Sequence, residues 1–410
     1  MAWRRASGSA IRRTPREWPI RGALALAALP FAYLGVTHSL ALAAMAGNAE
    51  QAYALAPYDG RLAAHAAALR LVDKQSDAAH MAAGLARQAL RRDPTAVEAV
   101  ATLGYVALAQ GDTADARRLF AYAEKLSRRD LQTQLWAIED ASAAGDVPRT
   151  LRHYDIALRT NTPASDLLFP ILTQAIAMPE VRSGLVTLLA KRPVWGPRFI
   201  VHVAGKGQQP EAGALFFIAL YRAGVPIPDD ATAALINTLV ANDAGEDAWR
   251  LYQILHPGTD RRRSRNGRFE GASGTPSLFD WTPVNDAGVS ASILSGDHGL
   301  FDFAVSPSVG GVVLQQMQAL TPGTYRLRGH AIGIDPPAAP LLYWMLSCHN
   351  GREVGRIAIS PSAQASGMFE GRFTVPTDCP LQMLSLMARP SDTPSGVSGQ
   401  IDRVQLEPAT

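Results

Sequence analysis

The spacing of apolar residues changes character twice along this chain. From Gly22 to Ala46 the sequence GALALAALPFAYLGVTHSLALAAMA carries no charge. Beyond it, as far as His256, apolar positions recur at intervals of three and four, the pattern of helices that bury one face. After Arg268 the interval drops to two. In GTYRLRGHAIG (323–333), Tyr325, Leu327, Gly329 and Ala331 share one face while Arg326, Arg328 and His330 share the other. PLLYWMLSC (340–348), GMFEGRFTV (367–375), LQMLSLMAR (381–389) and GQIDRVQLE (399–407) are further strands. Turn residues separate them at Thr321-Pro322-Gly323, Pro336-Pro337, Asn350-Gly351 and Pro394. Many short strands with no helix between them predict an antiparallel β-sandwich. The expected fold class is multidomain α plus β: an N-terminal transmembrane helix, an all-α solenoid and a C-terminal antiparallel sandwich.

The boundaries follow from the same pattern: a basic arm at 1–21, an anchor at 22–46, helical repeats at 47–162, divergent helical repeats at 163–258, a basic linker at 259–265 and the sandwich at 266–410. At about 1.5 Å per residue the uncharged run is long enough for a hydrocarbon core of about 30 Å. The arm ahead of it holds Arg4, Arg5, Arg12, Arg13, Arg16 and Arg21 against the single acid Glu17, which keeps it cytoplasmic and sends the bulk of the chain to the periplasm. A cleaved signal peptide giving a soluble periplasmic protein is the rival, because AMA before Gly47 is a small-x-small site. The length of the run, and the helical phase continuing through Ala49, Ala52, Leu55 and Ala56, favour an anchor. Cys348 and Cys379 are the only cysteines. In an oxidising compartment an isolated pair reads as a disulfide, with two buried thiols as the alternative.

Residues 97–130 and 131–164 superpose at an offset of 34: Gly111-Asp112 falls on Gly145-Asp146, Phe120 on Tyr154 and Ala123 on Ala157. One period earlier, Ala89-Leu90 and Asp93-Pro94 close a unit at 63–96. Gly104 and Ala116 are small where two helices would cross, Phe120 and Ala123 continue the buried stripe, and Gly111-Asp112 makes the turn. This resembles the tetratricopeptide repeat, and the resemblance implies a superhelix whose groove takes a protein partner. AEQAYALAPYDG (49–60) looks like the second half of an earlier unit, so that the membrane helix runs directly into the solenoid and caps it. Further helices are expected at 164–177, 179–191, 208–224, 229–243 and 245–256.

The stretch DRRRSRNGRFEG holds Arg261, Arg262, Arg263, Arg265 and Arg268, and is expected to be a charged, flexible joint followed by the sandwich's first strand. NGRFEG with Trp281, LTPGTYRLRG and GQIDRVQLE resemble the first, central and closing strands of the carbohydrate-binding-module type of jelly roll, related to the galactose-binding-like fold. The resemblance covers 266–410 and implies a structural calcium at Glu270 and Asp402, whose other reading is two solvated or salt-bridged acids. For sugar, it points to Trp281 and Tyr343 as stacking surfaces with Gln316, Gln318 and Gln382 as hydroxyl partners, while Trp344 alternates with Leu342 and Leu346 and belongs to the core.

A net charge of +3, concentrated in the N-terminal arm, gives no electrostatic support for nucleic-acid binding. No Gly-x-Ser-x-Gly, Gly-x4-Gly-Lys, His-Glu-x-x-His or Cys-x-x-Cys motif occurs. His298 beside Asp297 reads as solvated loop chemistry rather than part of a triad. The expected protein is non-catalytic and needs no cofactor beyond that calcium. An anchored helical-repeat region followed by such a module is similar to envelope proteins of bacterial exopolysaccharide systems, which implies a scaffold contacting a protein partner and a polysaccharide. A purely protein–protein scaffold and a polysaccharide-modifying enzyme are the alternatives.

Overall fold

The computed structural model describes residues 17–45, 47–72, 77–271, 274–296, 298–334, 341–392, 394 and 396–409. Most of the basic arm, Ala46 of the cleavage motif, Asp297 and the Pro336-Pro337 turn lie outside them. Fourteen α-helices precede two antiparallel sheets among the described residues. The chain forms two compact units, Met1–Ala164 and Ser165–Thr410. That division falls neither at 258 nor at 266: the later helices belong with the sheets.

The first unit opens with α1 (Glu17–Ala44), of which Trp18–Ala44 is long and apolar enough to cross a membrane. It continues through α2 (Ala49–Leu55), α3 (Gly60–Val72), α4 (Ala78–Arg92), α5 (Val97–Ala109), α6 (Thr113–Leu126), α7 (Leu131–Ala143) and α8 (Val147–Thr160). The pairs α5–α6 and α7–α8 begin 34 residues apart, as do their second helices. Gly111 and Gly145 adopt φ of +80° and +69°, the left-handed turn that a β-carbon disfavours. Asp112 and Asp146 then cap the following helices by accepting from the Asp115 and Arg149 N–H groups. A β-carbon on Gly104 would lie 2.7 Å from the Phe120 ring, so glycine is what lets α5 and α6 close. Phe120 in turn stacks on Trp136 of α7, with centroids 4.3 Å apart and planes 10° from parallel, joining one hairpin to the next. Between α3 and α4 the core is almost all alanine, including Ala63, Ala67, Ala86 and Ala89, which lets the two backbones approach closely.

The second unit begins with α9 (Ala164–Ala175, whose first residue closes the first unit), α10 (Pro179–Leu189), α11 (Gly196–Lys206), α12 (Pro210–Arg222), α13 (Asp229–Ala241) and α14 (Gly245–Leu255). The alternation of β-branched residues in RFIVHV hid α11 from sequence reading, although Gly196-Pro197 is a good helix entry. Phe169, Trp195, Phe199 and Phe216 form its aromatic core.

The sheets hold β1 (Thr282–Pro283), β2 (Val289–Leu294), β3 (Leu300–Val305), β4 (Gly311–Gln318), β5 (Gly323–Ile332), β6 (Leu342–Cys348), β7 (Glu353–Ala358), β8 (Met368–Val375), β9 (Gln382–Ala388) and β10 (Val397–Pro408). One sheet runs β1-β4-β9-β6-β7 and the other β2-β3-β10-β5-β8, all pairs antiparallel. Tyr325, Leu327 and Ala331 of β5 point into the core, as the alternation requires. Trp344 is fully buried at its centre.

NGRFEG is not a strand. Asn266 and Phe269 take φ of +46° and +55°, breaking the extended backbone, and the first strand is β1, directly after Trp281. The segment instead lies against β10 through single backbone bonds, Ser264 N–H to Leu406 O at 2.9 Å and Val404 N–H to Gly267 O at 2.8 Å.

Candidate functional site

Two surfaces carry chemistry, one in each unit. In the first, the leading helices of successive hairpins are joined by polar side chains. His65 Nδ1 of α3 lies 3.0 Å from Glu98 Oε1 of α5, and the Tyr105 hydroxyl of α5 donates to Gln132 O of α7 over 3.0 Å. Burial, with Glu139 and Asp130 adding to it, pushes the Tyr105 phenol up to about 12, so it remains a donor at any physiological pH. His65 and Glu98 stay partly exposed, which leaves a polar row running along the first helices.

In the second unit a cleft of about 890 Å³ opens where α12, the α12–α13 loop and α14 meet the segment that leads into β1. Its walls include Tyr221, Asp229, Tyr252, His256, Arg265, Glu270, Asp280 and Trp281. The floor is a fixed polar network. Tyr252 donates to Asp280 Oδ1 at 2.7 Å, while Asp280 Oδ2 accepts from the Ser277 N–H and hydroxyl. His256 stacks on Tyr252 at 4.3 Å and its Nδ1 donates to the Tyr252 carbonyl. Burial, then the Asp280 charge, raises the Tyr252 phenol far above its ordinary value, so it holds its proton.

The arginine stretch is the other half of this floor, and here the expected flexible joint is corrected. Arg265 is 8% exposed. Its Nε donates to Phe279 O at 2.8 Å, its Nη groups reach Met317 O and Gln318 Oε1, and its guanidinium carbon sits 5.4–5.7 Å from the ring centroids of Trp249, Tyr252 and Phe279. Burial pushes the guanidinium down to about 10, with Tyr252 and Asp280 opposing, and it stays charged at neutral pH. Arg261 forks onto Glu246 of α14 at 2.8 and 3.0 Å. Only Arg262, Arg263 and Arg268 behave as the solvated charges that the sequence suggested.

The sugar-stacking residues are not platforms. Trp281 is 5% exposed, its indole N–H donates to Asn266 O at 3.1 Å, and it forms part of the cleft wall. Tyr343 is half-buried under two guanidinium groups, with Arg356 and Arg389 at 5.1 and 5.0 Å from its centroid. Gln316, Gln318 and Gln382 are internal connectors: Gln316 exchanges two hydrogen bonds with the Arg265 backbone, Gln318 donates to Gln316, and Gln382 accepts from the Leu320 N–H. Their alternation along the strands turns them inward, where each must find a partner.

Of the two acids assigned to calcium, Glu270 pairs with Arg268 at 3.8 Å. Asp402 occupies the bulge where β10 shifts register against β5, and pairs with His330 Nδ1 at 2.9 Å. Each carboxylate has a side-chain partner of its own, Arg268 or His330, and no group of three or more His, Cys, Asp or Glu among the described residues is placed to hold a metal ion. Cys348 and Cys379 are joined by a disulfide that ties the end of β6 to the turn before β9.

The class so defined is a multidomain α plus β protein with one N-terminal helix able to cross a membrane, a helical-hairpin unit, and a second unit in which helices and a two-sheet sandwich share a cleft. No protein-family model matches the chain, and no curated protein does. Among solved structures, the crystal structure of accessory secretory protein 1,2 and 3 in Streptococcus pneumoniae is similar at 11% identity with a TM-score of 0.21, over 29% of this chain and 86% of that chain. A likeness at that score carries no argument here.

Proposed function

We propose that this protein is a non-catalytic, membrane-held scaffold of a bacterial cell envelope, with helical hairpins of the tetratricopeptide kind that hold a protein partner. The observation that carries the reading is the polar row along α3, α5 and α7, in which His65, Glu98 and Tyr105 are set by successive hairpins, two of which, α5–α6 and α7–α8, repeat at 34 residues. Stacked hairpins present such first-helix faces as a continuous surface for an extended chain. Retention of α1 is supported by its packing. Ala41 shares a buried cluster with Ala52, Ala56 and Leu62, so removing the helix would strip one wall from the first layer. The N-terminal arm then lies in the cytoplasm and the bulk in the periplasm.

A photo-crosslinking residue at Glu98 or Gln132 is expected to give a discrete protein adduct, and one at the exposed Arg118 of α6 none. Equal labelling at both faces, or none at either, would remove the partner groove. Contact with an exopolysaccharide is a second reading, favoured by the cleft, where Asp229 and Glu270 are hydroxyl acceptors beside Tyr221. Retardation of the protein in affinity gels containing envelope polysaccharide, abolished by Asp229→Ala with Glu270→Ala, would support it. Unchanged mobility in every such gel would leave a purely protein–protein scaffold.

A further inference from the structure

We infer that the first hairpin of the helical unit rests on the membrane surface, with Leu55 and Tyr58 inserted at the boundary between lipid headgroups and acyl chains. The inference rests on α1 being a retained anchor, and it fixes where the bilayer ends along that helix.

Three observations converge on the level of Leu34. Tyr58, just after α2, donates its hydroxyl to Leu34 O at 3.0 Å, so its ring lies beside α1 in the middle of an apolar run. One turn further along, His38 Nδ1 stands 3.3 Å from Asp59 Oδ2. An ionisable pair is costly in hydrocarbon, which places the water side of the boundary at His38. From there one face of α1 is covered by protein: Thr37 is buried and Ala41 sits in the cluster with Ala52 and Leu62.

Length agrees with this placement. Trp18 to Val36 is exposed, with the Tyr58 contact at Leu34, and at about 1.5 Å per residue spans about 28 Å, close to the hydrocarbon thickness, with Arg21 one turn inside the far interface where a long side chain reaches water. Trp18 then stands at one interface and Tyr33 with Tyr58 at the other, where amphipathic aromatics are enriched. Leu55 and Tyr58 are 38% and 45% exposed at the end of α2, where the Tyr58–Leu34 bond holds that turn against α1. Leu40 and Leu42, on the uncovered face of α1, remain exposed for two more turns, which suits a helix tilted into the interface.

The test uses the full chain in vesicles of phosphatidylethanolamine and phosphatidylglycerol. Single fluorophore-labelled variants Leu29→Cys, Leu55→Cys, Tyr58→Cys and Gln110→Cys are read by quenching with spin-labelled lipids. A spin label near the headgroup is expected to quench positions 55 and 58 at least twofold more than position 110, and one at the bilayer centre to quench position 29. Deep quenching at 29 with none at 55 or 58 would overturn the surface contact while leaving the anchor. Absence of quenching at 29 would overturn the anchor and the contact together. Leu55→Cys disturbs no hydrogen bond, so the result stands even if Tyr58→Cys loosens the hairpin.

Discussion

Tyr252 of α14 and Asp280, two residues before β1, are joined by a 2.7 Å hydrogen bond that ties the last helix to the start of the sandwich. Removing the hydroxyl in Tyr252→Phe leaves one carboxylate oxygen without its buried donor. A loss of about 1–3 kcal/mol in the second unit is expected, read as a lower denaturant midpoint. Because burial and Asp280 hold the Tyr252 phenol protonated, and burial holds Tyr105 as well, ultraviolet titration should find at least two tyrosines fewer ionising near 10 in the folded wild type than after unfolding, and one of these missing groups should be gone in Tyr252→Phe.

Arg265 should be the most sensitive of the five arginines. Replacing it by methionine removes the charge that Trp249, Tyr252 and Phe279 surround and leaves the Phe279, Met317 and Gln318 oxygens without their donor. A destabilisation of about 3–5 kcal/mol is expected, whereas Arg262→Ala and Arg263→Ala should stay within about 0.5 kcal/mol. Thermal melts of the three variants make the comparison.

The close approach at Gly104 predicts that Gly104→Ala, normally favourable inside a helix, destabilises the first unit. The added methyl would meet the Phe120 ring at 2.7 Å. Overpacking of this kind costs about 1–3 kcal/mol, against a helix-propensity gain of about 1 kcal/mol. Gly84→Ala, with open space around it, should stabilise instead. Circular dichroism melts of the pair distinguish packing from propensity.

Reducing the Cys348–Cys379 bond should lower stability by about 3–4 kcal/mol, the chain-entropy value for a loop closed over 31 residues. Calorimetry with and without reductant measures it.

His153 is buried against Gln134, and burial holds its imidazole below the ordinary 6.5. The unfolded chain binds a proton there that the folded chain refuses. Stability from this site is therefore complete above about pH 6.5 and is lost as pH falls below it. Melting temperature should drop on acidification in the wild type and less steeply in His153→Gln.

What was legible in the sequence was whatever repeats or alternates. The offset of 34 located α5 to α8, and the period of two located β5, β6, β8, β9 and β10. The strands β2, β3 and β7 run only six residues each, β4 carries Gln315, Gln316 and Gln318 among its apolar positions, and α11 carries Ile200, Val201 and Val203, so neither template marked them. The cleft was not legible, because its walls come from Tyr221, Tyr252 and Asp280, residues far apart in sequence. Arg265 misled for a physical reason: a buried and a solvated arginine look alike until the rings of Trp249 and Phe279 are known to surround one of them. Trp281 misled in the opposite sense, since an indole fills a core as readily as it offers a face.

The bonds between the arginine segment and β10 also set an order of events. Ser264 binds Leu406 and Gly267 binds Val404, yet β10 follows β1 to β9 in the order of synthesis. The hairpins of the first unit can close as soon as they emerge, each on its neighbour. The middle of the second unit has to wait for nearly its whole length of polypeptide, so its helices pass through synthesis without the floor on which α14 will finally rest.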